Sequence, residues 1–293
     1  MELGWADFAN LVANGLAEGL LLALPALAVT LVFGVARFPN AATGDLVSVG
    51  GFGAFGAYKL SGGSFLLAAL GGLVAGIAAG WASWILVFKP VARQSGVTLL
   101  LTSIGLGFLI RALLGLGFGH ENNMFELPLM RAWNFGPVTI NPMDGIVAIC
   151  ALLTMSAVFV LMYGTPIGRI LRAMADNGDL ARVVGINTGR ASASMWCLVG
   201  AVCGIAGLLV GLKTLVSPEA GAELLLAAFA AAVVGGLGNP LGAVAGAVLL
   251  GVFQEVSTPF VGFTYKIAMS YAVMLLVLLW RPQGLFTRLQ GAR

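Results

Sequence analysis

Apolar stretches long enough to cross a bilayer recur from one end of this sequence to the other, and nothing else about the chain constrains its fold as strongly. A hydrocarbon core needs roughly 20 helical residues to span it. Apolar runs lie at 8–36, 44–60, 65–88, 97–118, 143–163, 191–212, 224–237, 241–255 and 267–280. The seventh and eighth are short and flank Gly235-Gly236-Leu237-Gly238-Asn239-Pro240, so they read either as two spans or as one re-entrant hairpin. Only 9% of the residues are charged, against about a quarter in soluble domains, which is too few to dress a water-facing surface. The expected fold is all-α: a polytopic transmembrane helical bundle of 8–9 spans with short broken or re-entrant helices, occupying residues 1–293 as one domain.

The 42 glycines fit that reading. Small residues let membrane helices approach backbone to backbone, and Gly72, Gly76 and Gly80 recur at fourfold spacing, as do Gly200 and Gly204, then Gly207 and Gly211. These stripes are read as packing, with no function assigned. Cys150, Cys197 and Cys203 sit in apolar runs without metal-like spacing and read as small core residues. Glu2 and Asp7 stand where a secretory leader would be basic, so a removable signal is not expected.

Positively charged loops stay cytoplasmic. An external amino terminus gathers Arg37, Lys89, Arg93, Arg169, Arg172, Arg182, Arg190, Arg281, Arg288 and Arg293 on one side, leaving Lys59, Arg131, Lys213 and Lys266 on the other. The basic side is therefore expected to be the cytoplasm, with the carboxyl terminus there too. The outer loop 119–142 holds the single histidine, His120, with Trp133 and Pro137, and is expected to be a solvated cap. The inner loop 164–190 is more informative. Ile167, Ile170, Leu171 and Met174 recur at helical steps, as do Leu180, Val183 and Val184, which predicts two short amphipathic helices broken at Asn177-Gly178, with Asp179 capping the second. By composition alone, Arg169, Arg172 and Arg182 also suit helices lying on anionic lipid headgroups.

The run GRILRAMADNGDLARVVGINTGR from Gly168 to Arg190 closely resembles the cytoplasmic loop of branched-chain amino-acid ABC transporter permeases, the LivH and LivM family, and this chain is closer to LivH. Phe88-Lys89-Pro90-Val91-Ala92-Arg93, Ser217-Pro218, the stretch AFAAAVVGGLG at 228–238 with Gly242, and Tyr265-Lys266 with Arg281-Pro282-Gln283-Gly284 extend the resemblance over nearly the whole chain. It implies a permease domain whose partners are two cytoplasmic ATPase subunits, a second permease (a LivM-like paralogue or a second copy) and an extracytoplasmic substrate-binding protein. It implies residence in the bacterial inner membrane. The loop 164–190 would then be the coupling element, with Gly168, Arg172, Ala173, Asp176, Gly178, Ala181, Gly185 and Ile186 on the matching positions. No Gly-Lys-Ser or Gly-Lys-Thr is present to close a phosphate loop, so no cofactor is expected on this chain and ATP would be used by its partners.

Interrupted membrane helices often mark transport sites, because unwound backbone is tolerated only against protein or a wet cavity. Residues 37–45 and 235–242 are the two interruptions. At the first, the family's Asn-Phe-Ala-His-Gly-Glu is Asn-Ala-Ala-Thr-Gly-Asp here, so Asn40, Gly44 and Asp45 match while the aromatic and histidine positions do not. Charges inside spans are costly. Glu18, Asp45 and Arg111 therefore either pair with one another or join Asn40, Gly44, Gly235, Gly236 and Asn239 along a translocation path. A proton-coupled secondary transporter is the rival reading. An aquaporin-like pore is disfavoured because only Asn239-Pro240 has the Asn-Pro order, and an intramembrane enzyme because no catalytic pair or ligand cluster is spaced for chemistry. The net charge of +3 is accounted for by the cytoplasmic loops and offers no basis for nucleic-acid binding.

Overall fold

The computed structural model describes residues 5–119, 121–127, 131–135 and 138–286. His120, Pro137, Arg288 and Arg293 lie outside the described residues. The elements run in order α1 (Trp5–Ala36), α2 (Thr43–Leu60), α3 (Phe65–Ala82), a π-helical turn (Ser83–Phe88), α4 (Lys89–Val91) and α5 (Gly96–Phe118). A short antiparallel hairpin, β1 (Trp133–Phe135) and β2 (Val138–Ile140), precedes α6 (Pro142–Gly164), α7 (Pro166–Asp176), α8 (Gly178–Val183) and α9 (Thr188–Lys213). The chain closes with α10 (Ala220–Gly235), α11 (Pro240–Val261), a 3-10 turn and α12 (Lys266–Trp280). The helical bundle expected from the sequence is therefore present. Among the described helices six are long and apolar enough to cross a membrane, counting α3 to α4 as one, and α10 and most of α12 are shorter apolar helices.

Local chemistry sets the helix starts. The Ser64, Ser95, Asn141, Thr165 and Asn187 side chains accept from backbone N–H groups in the first turns of α3, α5, α6, α7 and α9, satisfying donors that lipid or the interface cannot. At α8 the cap is Asn177, whose Oδ1 accepts from the Asp179 and Leu180 amides. Asp179 was expected there. It sits two residues too late, inside the helix, and is exposed.

The α1 and α9 spans are the most buried, while α3, α5 and α6 turn most of their length outward. What brings α9 to the centre is glycine. A Cβ built on Gly76 of α3 would lie 2.2 Å from the Gly200 carbonyl oxygen and 2.7 Å from the Gly204 Cα, and one on Gly72 would lie 2.9 Å from the Gly204 oxygen. On the other side of α9, a Cβ on Gly207 would meet the Val47 oxygen of α2 at 2.1 Å. The same device joins α1 to α11, where Gly15, Gly19 and Gly251 touch backbone. The stripes read from spacing alone are thus largely backbone contacts, whose obstructing main-chain atoms cannot move aside as a flexible side chain does; Gly211 instead meets the Val216 and Phe125 side chains. By contrast a Cβ at Gly105 of α5 meets nothing within 4 Å.

Two chain breaks meet inside this frame. Residues 37–42 separate α1 from α2, and residues 214–219 separate α9 from α10. Gly44 lies against Gly221, with a Cβ on Gly44 only 2.3 Å from the Gly221 oxygen. The Ser48 hydroxyl accepts from the Gly221 amide at 3.0 Å and donates to the Pro218 carbonyl at 3.1 Å. The second interruption expected from the sequence, 235–242, is the tight turn of an α10–α11 hairpin, one of the two arrangements the sequence allowed there, in which Gly235 packs on the Gly242 carbonyl. It lies near Gly34 at the end of α1, away from the Gly44–Gly221 contact.

Replacing Gly76 with alanine is expected to force α3 from α9 and lower unfolding stability in detergent by about 1–3 kcal/mol. Gly105→Ala, with open space for its methyl, is expected to change it by less than about 0.5 kcal/mol.

Candidate translocation path and coupling element

Three groups of functional candidates are brought together at three depths. At one end of the bundle, α7 and α8 form a step off the end of α6. Gly168 permits this fold-back, since a Cβ there would lie 2.1 Å from the Met162 carbonyl oxygen. Leu171, Met174 and Ala181 are buried beneath the step, the last two with Ala191 and Ile186. At the far end of α8 the Gly185 amide donates to the Arg182 carbonyl and the Ile186 amide to that of Ala181, with Gly185 at φ +91°, a C-terminal cap that only a residue free of Cβ adopts cheaply. Of the expected coupling positions, Asp176 and Gly185 are exposed, and Ala173, Gly178 and Ile186 are half-buried. Arg172 lies over the Tyr163 ring at 4.8 Å, while Gly168 and Ala181 face inward. The side chains offered outward are others: Leu180 is 59% exposed, Val183 84% and Val184 74%. Their recurrence was legible, but which face of α8 the bundle would leave uncovered was not.

The second group lies at mid-depth. Gly107 is midway along α5, and a Cβ there would be 2.3 Å from Asp45 Oδ2. The missing side chain makes room for the carboxylate, and one turn on, Arg111 donates from Nε to Asp45 Oδ1 at 2.9 Å. Asp45 is the pairing partner of Arg111, and Glu18 is not. The Asp45 side chain is 2% exposed and that of Arg111 29%, so the carboxylate is buried and the guanidinium that pairs with it is partly accessible. Beside it, Asn40 is buried; its Oδ1 accepts from the Ala42 amide, while its Nδ2 has no hydrogen-bond partner. Ser103 of α5 accepts from the Ala41 amide at 3.0 Å, tying the break to the same helix. The role of Gly107 was missed because a glycine in α5 looks like any other in this composition.

Nearer the opposite end, Glu18 belongs to a five-charge network unforeseen in the sequence. Lys213 binds Asp144 at 2.8 Å and Glu18 at 3.3 Å, and Lys266 binds Glu255 and, at 3.7 Å, Glu18. Lys213 and Lys266 read as loop charges, and only the packing of α1, α6, α9, α11 and α12 shows that they converge. Gly235, Gly236 and Asn239, expected on the path, are engaged in holding the hairpin turn: Gly284 packs on Gly236, and Asn239 Nδ2 donates to the Phe286 carbonyl at 3.0 Å. Among the described residues no group of three or more His, Cys, Asp or Glu is placed to hold a metal ion.

Arg111→Leu would leave Asp45 buried and unpaired, and is expected to lower unfolding stability by about 3 kcal/mol. In the Asp45→Asn background the same substitution is expected to cost far less, and a double-mutant cycle in detergent reads the difference. Additive losses would mean that the pair is not coupled.

A family model described as branched-chain amino acid transport system / permease component matches residues 11–279. The high-affinity branched-chain amino acid transport system permease protein LivH of Escherichia coli (strain K12) is 29% identical, covering 96% of this chain and 96% of that protein. LivM of the same organism and transport system is 29% identical, covering 82% of this chain and 63% of LivM. A solved structure, PsaBC from Streptococcus pneumoniae in complex with Fab, shares the fold with a TM-score of 0.50 at 13% identity, over 92% of this chain and 91% of that one. With the family match running through all the long helices, the chain belongs to the permease components of branched-chain amino acid transport systems.

Proposed function

We propose that this chain is the membrane-spanning permease of an ATP-binding-cassette importer in the bacterial inner membrane, carrying branched-chain or chemically related amino acids inward. Two cytoplasmic ATPase subunits bind and hydrolyse the ATP, and an extracytoplasmic binding protein delivers the substrate. A second permease completes the membrane unit; that LivH and LivM are two distinct relatives of this chain favours a paralogue over a second copy. The amino terminus is outside and the carboxyl terminus is cytoplasmic, as the distribution of Lys and Arg favours.

The observation that carries this reading is the α7–α8 step. A six-residue helix, α8, capped at both ends, stands at the basic end of the bundle and leaves Leu180, Val183 and Val184 uncovered. Exposed apolar groups on a braced polar element are what a partner groove covers. Rigid fixing lets that partner move the helix as a body. The placement of Asp45 and Arg111 supports a path along α5, where a partly accessible guanidinium and the free Asn40 amide suit the carboxylate of a passing zwitterion.

The decisive experiment is uptake into proteoliposomes holding the assembled transporter, with ATP or with only an ion gradient. ATP-dependent uptake that is indifferent to uncoupler is expected; uptake driven by the gradient alone would favour a secondary transporter. Val183→Asp is expected to weaken ATPase binding by about tenfold or more, the loss of roughly one buried apolar side chain. Gly185→Val forces a β-branched residue to positive φ and is expected to cut uptake while the protein stays inserted.

Arg37 links the step to the break. It ends α1 with φ +58°, a left-handed conformation costing a non-glycine residue about 1 kcal/mol. Its guanidinium donates to the Ala175 and Asp176 carbonyls at the end of α7, where a cation also meets the negative end of the helix. A push on α7 is thereby delivered to the start of residues 37–42. Arg37→Gly relieves the strain and removes the link, so it is expected to leave folding intact and ATP hydrolysis running while uptake per ATP falls; Arg37→Lys is expected to restore part of the ratio.

A further inference from the structure

Between the end of α1, the π-turn and α4, the start of α9 and the α7–α8 step lies a cavity of about 400 Å³, a size that suits a small ligand or a headgroup. Its two sides differ in kind. One side is apolar, with half-buried Val35, Ala36 and Trp84 over a buried floor in which Phe88 packs between Phe38 and Trp196, its ring centroid 5.5 Å from that of Phe38 and stacked at 4.4 Å on Trp196. The other side is basic, with exposed Lys89, Arg93 and Arg182 on the lining. Lys89 and Arg93 have no ion pair among the described residues. The one acidic residue on the lining, Asp179, is 3.8 Å from Arg182 in a pair exposed on both sides, and such pairs contribute little. The cavity therefore carries two uncompensated positive charges beside an apolar wall.

We propose that this cavity binds the phosphate headgroup of an anionic phospholipid from the cytoplasmic leaflet, with the upper acyl carbons against Val35, Ala36 and Trp84. A free inorganic anion would use the basic rim and leave the apolar wall idle; a lipid uses both. Basic pockets between helices on the cytoplasmic side are suited to such headgroups, and each Lys or Arg near the membrane surface contributes about 1 kcal/mol of attraction. The occupant would bridge α4 and the α7–α8 step, so lipid charge would bear on the step directly. Placement in the cytoplasmic leaflet rests on the orientation proposed above; the chemistry of the cavity does not depend on the importer reading.

The test is native mass spectrometry of the assembled transporter, exchanged into detergent with phosphatidylglycerol or phosphatidylcholine. Retention of phosphatidylglycerol over phosphatidylcholine is expected to be roughly thirtyfold, about fivefold for each of two net charges. The variant Lys89→Gln/Arg93→Gln/Arg182→Gln is expected to lose that preference, and the charge-preserving Lys89→Arg/Arg93→Lys to keep it. Equal retention of the two lipids, an undiminished preference in the triple variant, or release of the lipid by millimolar inorganic phosphate would each overturn the proposal. Because the readout is bound lipid, its failure leaves the ATP-driven uptake result standing, and the converse also holds.

Discussion

Backbone-to-backbone contact at glycine is the interaction on which the rest of this structure depends. Between helices in lipid the hydrophobic effect supplies little, because acyl chains are as apolar as leucine, so close packing must hold the bundle together. Here that packing converges on α9, with α3 against one face through Gly72, Gly76, Gly200 and Gly204, and α2 against another through Gly207. The α1–α11 pair repeats the arrangement through Gly15, Gly19 and Gly251. These contacts leave α5 largely uncovered, held to the bundle in part by the Arg111–Asp45 pair.

A frame so tightly locked can tolerate interruptions within it. Residues 37–42 and 214–219 would leave backbone groups without partners in hydrocarbon, yet Ser48, Ser103 and Thr43 supply or accept hydrogen bonds across the two breaks. The polar groups that remain differ in character. The network of Glu18, Lys213, Asp144, Lys266 and Glu255 is mutually satisfied and joins five helices. The pair at Asp45 is thinner: one carboxylate, one guanidinium and an Asn40 amide still holding a free donor. A fully paired cluster resists rearrangement, whereas a partly satisfied one at a chain break is suited to exchange partners.

Between these groups runs a continuous series of contacts, the route along which the proposed coupling would pass. The α7–α8 step is anchored below by Leu171 and Met174, and is joined through Arg37 to the first residue of the break. From there Asn40, Ala41 and Ala42 lead within a few residues to Asp45 and its bond to α5. Coupling over such a distance needs elements that move as units between discrete packings. A capped six-residue helix and a short polar break meet that need.

The order and extent of the helices were legible, because each of the nine apolar runs coincides with a helix or most of one, while six of the described helices, rather than eight or nine, are long and apolar enough to cross a membrane. The two inner helices and their break at Asn177-Gly178 were equally legible, since amphipathic spacing and a turn dipeptide are local signals. Pairwise geometry was not. Asp45 rather than Glu18 meets Arg111 because Gly107 clears a space one turn below it, and two lysines that look like loop residues meet Glu18 only after five helices pack. Likewise, the glycines at 235–242 allow either two spans or a helix hairpin by composition, and only the tertiary structure shows the hairpin, packed against Gly34 and Gly284. Sequence alone determined which segments enter the membrane and where they bend, since those depend on local hydropathy and backbone freedom; the tertiary structure decided which charges and which breaks face one another, since that depends on how closely glycine lets distant helices approach.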